Sequence, residues 1–159
     1  MVDLEVQENR IKIFKMKNYK IKIQERDNFC LCSVLQAIFK QHEIYFSQIE
    51  IADRLTLSEK GFLVNDVSIK RFLSSKFDYS FYWYDETPFN EPDTLLKEMN
   101  QHHGLIGIKN HVYLFSEFRE PFLQIINPKN ADIIEEDISL IRREMQEKDG
   151  FFGLLKYIF

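Results

Sequence analysis

Gln24-Glu-Arg-Asp-Asn-Phe-Cys30-Leu-Cys-Ser-Val-Leu-Gln-Ala-Ile-Phe-Lys-Gln41 is the stretch on which the fold turns. From Cys30 onward Leu31, Val34, Leu35 and Ile38 recur at the spacing of one helical face, so a helix is predicted from Cys30 to about Gln41. A thiol on the first turn lies among unpaired backbone N–H groups at the positive end of the helix dipole. Both favour the thiolate, the reactive form. Gln24 lies six residues upstream, on the chain leading into the helix. Its amide is placed to fold back beside the Cys30 N–H, giving the two donors of an oxyanion hole. Free cysteine is also among the most buried residue types, so Cys30 alone reads as a core thiol before a nucleophile, and only its spacing with Gln24, His111 and Asn127 reverses that order. Cys32, two residues on and about 200° round the helix, is read as a core residue.

Upstream, Ile11 to Phe14 and Tyr19 to Ile23 alternate apolar and charged residues, predicting extended structure with a turn at Lys15 to Asn18. Downstream, Ser47 and Glu50 form a capping box with Phe46 and Ile51 as its staple, predicting a short helix to about Leu55. Asn65 is positioned to cap a third helix carrying Val67, Phe72 and Leu73, and Tyr79 to Tyr84 reads as a strand. A fourth helix is predicted from Pro92, burying Leu95, Leu96 and Met99 and ending before Gly104. His102 and His103 are read as caps at its C-terminus, and His42 as the same for the first long helix. Leu105 to Ile108, His111 to Ser116 and Phe122 to Ile126 then read as strands, with Ala131 to Ile134 a further candidate. Glu135 to Lys148 reads as a charged helix with an acidic first turn, and Phe151 to Phe159 as an apolar stretch that packs on the domain, leads into a membrane region or meets a partner. Helices first and strands later is an α+β order.

Three of these segments bear on chemistry. A hairpin with the five-residue loop Glu117 to Pro121 sets Ser116 opposite Phe122 and, stepping outward, His111 opposite Asn127. Directly opposed side chains on one face are close enough for an asparagine to orient an imidazole and fix its tautomer. Cys30 as nucleophile, His111 as base, Asn127 as orienter and Gln24 as oxyanion donor would supply the parts of acyl chemistry.

The chain has 159 residues, read as a single domain over 1–159. Its 21 Lys and Arg against 25 Asp and Glu give a net charge of −4, with no basic block to track a phosphate backbone, so no nucleic acid partner is expected. No apolar run is long enough for a membrane span and no signal-peptide pattern opens the chain, so a cytoplasmic location is expected. Only two cysteines occur, and the four histidines form no second cluster at zinc-like spacing. Neither a metal nor a cofactor is expected.

Gln24 through Cys30, the helix after it, Lys60-Gly61-Phe62, and His111-Val-Tyr-Leu-Phe115 with Ile125-Ile-Asn127-Pro128 together resemble the papain-like cysteine peptidase clan. Within it they look most like the small domains that cut double-glycine leader peptides from bacteriocin precursors, at the N-terminus of export transporters. The resemblance implies a papain-like α+β fold: an N-terminal helical half with the nucleophile at a helix start, packed on a C-terminal antiparallel sheet carrying His and Asn. It implies Cys30 as nucleophile, His111 as general base, Asn127 as orienter and Gln24 as oxyanion donor. The implied partner is a peptide or protein substrate, with a membrane involved only through an attached transporter. Hydrolysis, deamidation and acyl transfer share these parts, and a catalytically degenerate module that only holds a peptide is the alternative. Phe29 and Leu31 stand where those domains usually carry an acidic residue and a glycine, and Asn127 where Asp is common.

Overall fold

The structure is a computed structural model and describes residues 17–55, 67–86 and 92–158. In chain order these form α1 (Cys30–Lys40), α2 (Gln48–Leu55), α3 (Val67–Leu73), β1 (Phe77–Trp83), a short 3-10 turn (Tyr84–Glu86), α4 (Pro92–Gln101), β2 (His103–Ile108), β3 (His111–Arg119), β4 (Phe122–Ile126), β5 (Ile133–Asp137), α5 (Ile138–Glu147) and β6 (Phe151–Tyr157). The strands make one six-stranded sheet in the order β1-β6-β2-β3-β4-β5, and each pairing is antiparallel. Helices precede most of the sheet, the α+β arrangement that the element order predicts.

Strand periodicity divides the core in two. Phe151 and Leu155 join the cluster built on α1, α2 and α3, whereas Phe152 and Leu154 join the cluster built on α4 and α5. Successive strand residues point to opposite faces, so a sheet covered by helices on both sides needs apolar residues at every position. This explains why Phe151 to Leu155 of β6 read as an unbroken apolar run. It is an inner strand with β1 on one side and β2 on the other, so the C-terminal stretch packs on its own domain. Gly107 on β2 makes room for it, since a Cβ there would meet the Phe151 ring at 1.9 Å.

α1 packs against β3 and α2, and its residues Cys30 to Phe39 are all buried. Its apolar stripe is therefore embedded on every side, including the polar Ser33 and Gln36. The Ser47–Glu50 capping box is present, with the Glu50 N–H donating to Ser47 Oγ at 3.1 Å. Asn65 and the Lys60-Gly61-Phe62 motif lie outside the described residues, as does Ile11 to Phe14.

Several expectations are corrected. Residues 18–24 form no strand, and side chains bond several of their backbone groups, as detailed below. β3 continues through Glu117 to Arg119, so the hairpin turns on Glu120 and Pro121 rather than on a five-residue loop. Glu135, Glu136 and Asp137 close β5 and do not open a helix; only Asp137 caps α5, accepting from the Ser139 N–H at 2.9 Å. His103 is not a helix cap but the buried first residue of β2.

Candidate active site

α1 starts at Cys30 without a capping side chain, because its N-cap residue is Phe29. A Ser, Thr, Asp or Asn there would add roughly 1 kcal/mol by occupying an orphan N–H. Here those donors are left for the sulfur. Burial raises the Cys30 thiol pKa, and the nearby backbone N–H groups of Val112, Leu31 and Cys30 act the other way, favouring the thiolate. The Val112 contact places the sulfur against β3 immediately after His111. Cys32 is fully buried on the same helix, and burial pushes its thiol up to about 12. Leu31 is fully buried in the α1 cluster, so its bulk is taken up by the core.

His111 and Asn127 are brought together by an irregularity in the hairpin. Near the turn Arg119 pairs with Phe122 and Glu117 with Gln124; beyond Ser116 the register changes, and Phe115 pairs with Ile125 and Leu114 with Ile126. Ser116 is the extra residue of a β-bulge. Without it the register near the turn would set Asn127 opposite Leu114, on the face away from His111, since a one-residue slip reverses every side chain. With it, Asn127 falls one step past the Leu114–Ile126 pair, across from Tyr113 and diagonal to His111 on one face. Diagonal neighbours remain within reach of long side chains. His111 Nε2 lies 2.7 Å from Asn127 Oδ1.

The tautomer follows from a second contact. Asn127 Oδ1 also accepts from the Lys129 backbone N–H at 3.0 Å, and a main-chain N–H only donates, so the atom facing His111 is the amide oxygen. Nε2 of His111 must then carry the hydrogen, which leaves the Nδ1 lone pair as the basic position of the neutral ring. Tyr113 packs edge-on to the imidazole with centroids 4.7 Å apart.

Gln24 joins the same end of the sheet through its backbone, its N–H donating to the Pro128 carbonyl at 2.8 Å. Its side-chain nitrogen donates to the carbonyls of Arg26 and Asp27 at 2.9 and 3.0 Å, while Oε1 is buried without a partner among the described residues. The amide donors thus face the loop that leads into α1. A groove of about 520 Å³ opens beside Ile126, the residue before Asn127, between Tyr19, Gln124 and Ile133. Among the described residues no group of three or more His, Cys, Asp or Glu side chains is arranged to hold a metal ion, and no helix is long and apolar enough to cross a membrane.

The sequence reading missed one buried residue of this region. Gln48 is fully buried and hydrogen-bonded to the backbone on both sides of Gln24. At the first position of a capped helix a glutamine is unremarkable by pattern, so no local signal marked it.

No protein-family model matches the chain, and no curated protein matches it by sequence. Solved structures do match. A double-glycine-motif protease from an AMS/PCAT transporter, solved with its leader peptide, superimposes with a TM-score of 0.69 at 14% identity, covering 89% of this chain and 94% of that one. The fold is that of the papain-like double-glycine peptidase domains. The peptidase domain of Streptococcus ComA, a bifunctional ABC transporter of a quorum-sensing pathway, gives 0.65 at 16% identity over 87% and 98% of the two chains. A Bacillus anthracis protein described as a C39-like peptidase gives 0.60 at 10% identity over 88% and 96%.

Proposed function

We propose that the protein is a papain-like thiol enzyme acting on a peptide or amide bond through Cys30, His111 and Asn127. The observation that carries this reading is the Asn127–His111 hydrogen bond, whose oxygen is fixed by Lys129 and which leaves Nδ1 of His111 as the base. His111 takes the Cys30 proton as the sulfur attacks a carbonyl, and the imidazolium is held by Asn127. The Cys30 N–H stabilises the oxyanion. Gln24 supplies the second donor once one Nε2 hydrogen turns from the loop carbonyls, a side-chain rotation that leaves the backbone in place. The acyl-enzyme is then resolved by water or by another acceptor.

A peptide substrate fits the likeness to a domain solved with a leader peptide. The competing reading, a module that holds a peptide without cutting it, draws on two observations: burial raises the Cys30 thiol pKa, and the Gln24 donors are engaged in the loop. Incubation of the protein and of Cys30→Ala with a panel of double-glycine leader peptides separates the two. Cleavage after the double glycine that disappears in Cys30→Ala supports the peptidase. Tight binding that is identical in both proteins, with no cleavage and no acyl adduct by mass spectrometry, supports the module.

A further inference from the structure

We infer that Gln48 is a positioning residue for Gln24, acting as a one-residue substitute for a β-strand partner; this rests on the reading of Gln24 as an oxyanion donor. Lys22 to Glu25 pair with no strand among the described residues, yet the Lys22 and Ile23 carbonyls and the Gln24 and Glu25 N–H groups all have partners. Gln48 Oε1 accepts from the Glu25 N–H at 2.9 Å, and Gln48 Nε2 donates to the Ile23 carbonyl at 3.0 Å. These groups flank Gln24 on its two sides and face one way, as in an extended strand, while the Gln24 N–H goes to Pro128. A primary amide offers one acceptor and two donors, so a single glutamine reproduces the paired bonds a neighbouring strand would make.

The clamp is itself held. Gln48 is 0% exposed, and its nitrogen lies 3.2 Å from Gln36 Oε1 on α1, whose own nitrogen donates to the Phe46 carbonyl at 2.9 Å. Ser33 Oγ, also on α1, donates to the Lys22 carbonyl at 2.6 Å. The helix that begins at Cys30 therefore fixes, through Ser33, Gln36 and Gln48, the height at which Gln24 passes the sulfur. An oxyanion donor misplaced by a fraction of an ångström loses most of its value, whereas the thiol and its base are untouched.

The test separates the oxyanion site from the thiol. A peptide aldehyde ending in Gly-Gly is captured when Cys30 Sγ bonds to the carbonyl carbon, the π pair moves to oxygen and the thiol proton ends on that oxygen. Iodoacetamide alkylation needs the sulfur and its base but no oxyanion donor. Gln48→Met, close in volume and without amide groups, should weaken aldehyde affinity about 10- to 100-fold, a part of what a lost oxyanion donor costs, with Cys30 alkylation unchanged. In a Gln24→Ala background the same substitution should cost less than about twofold, as for residues acting as a unit. Gln48→Glu, compared with wild type at each pH, should bind aldehyde well when its carboxyl is protonated and able to donate to Ile23, and poorly when ionised. It also serves where Gln48→Met does not fold. Equal losses in both backgrounds, or a Gln48→Glu affinity ratio flat with pH, overturn the clamp while leaving the site intact. A wild-type protein that captures no aldehyde, or a Gln24→Ala variant with wild-type affinity, refutes the reading of the site and the clamp's role with it.

Discussion

His111 and His103 open neighbouring strands, β3 and β2, and each has a ring nitrogen fixed by a hydrogen bond, yet their surroundings differ. His111 is half-buried, held on Nε2 by Asn127, with Nδ1 left as a lone pair. His103 is 7% exposed and held on both nitrogens, Nδ1 lying 2.5 Å from the Tyr19 hydroxyl and Nε2 2.7 Å from His42 Nε2. Burial, reinforced by the charges of His42, Lys17 and His102, lowers the His103 pKa to about 3. A fixed tautomer alone does not make a base; one ring nitrogen must also be free to take a proton. By this criterion His111 suits proton transfer, and His103 suits holding α1's C-terminal end to the sheet, with His42 stacked on Tyr157 at 3.8 Å as its outer layer.

Replacing each histidine by alanine tests the contrast most strongly. His111→Ala should lower the rate of acyl chemistry about 10³- to 10⁴-fold, the range seen when a triad member is removed, with little change in the melting temperature. His103→Ala should do the reverse, retaining activity per folded molecule and losing stability through a cavity and an unpaired Tyr19 hydroxyl. Loss of activity from His103→Ala at full folding would break the distinction.

Acid should reveal the same difference. The folded-state pKa of His103 lies below that of an unfolded histidine, so the unfolded chain binds more protons between about 6.5 and about 3. The stability held by the neutral ring is complete above that window and is lost as pH falls through it, by up to roughly a few kcal/mol. His103→Phe, which cannot titrate, should be less stable at neutral pH but should lose less on acidification, as read from denaturant midpoints. A parallel acid dependence in both proteins would remove His103 as the cause.

Asn127→Ala should cost less than His111→Ala, about 10- to 100-fold in rate, because a hydrogen bond to a charged group contributes roughly 1.5–3 kcal/mol and the base itself remains. Smallest is Cys32→Ala, which should leave the alkylation rate of Cys30 within about twofold, since the Cys32 thiol is fully buried and burial holds it protonated.

The elements were legible where periodicity and caps act locally: α1 from its apolar spacing, α2 from Ser47 and Glu50, and the His111 and Phe122 strands from their apolar runs. The proximity of His111 and Asn127 was also read from the sequence, but through a register that differs from the one observed. The longer β3 moves the turn and the Ser116 bulge restores the shared face, two changes that pattern does not reveal. Gln48, Gln36 and His103 were not legible as buried polar groups, because their burial depends on which distant segment packs over them, Lys22 to Glu25 for Gln48 and Tyr19 for His103.

The most direct test of the proposed triad is the rate of irreversible capture of a Gly-Gly peptide chloromethyl ketone, followed by intact-protein and peptide mass spectrometry in wild type and His111→Ala. One adduct per chain on Cys30, formed at least about 100-fold more slowly without His111, is the expected result. Capture on Cys32, or capture on Cys30 at the same rate with and without His111, would contradict it.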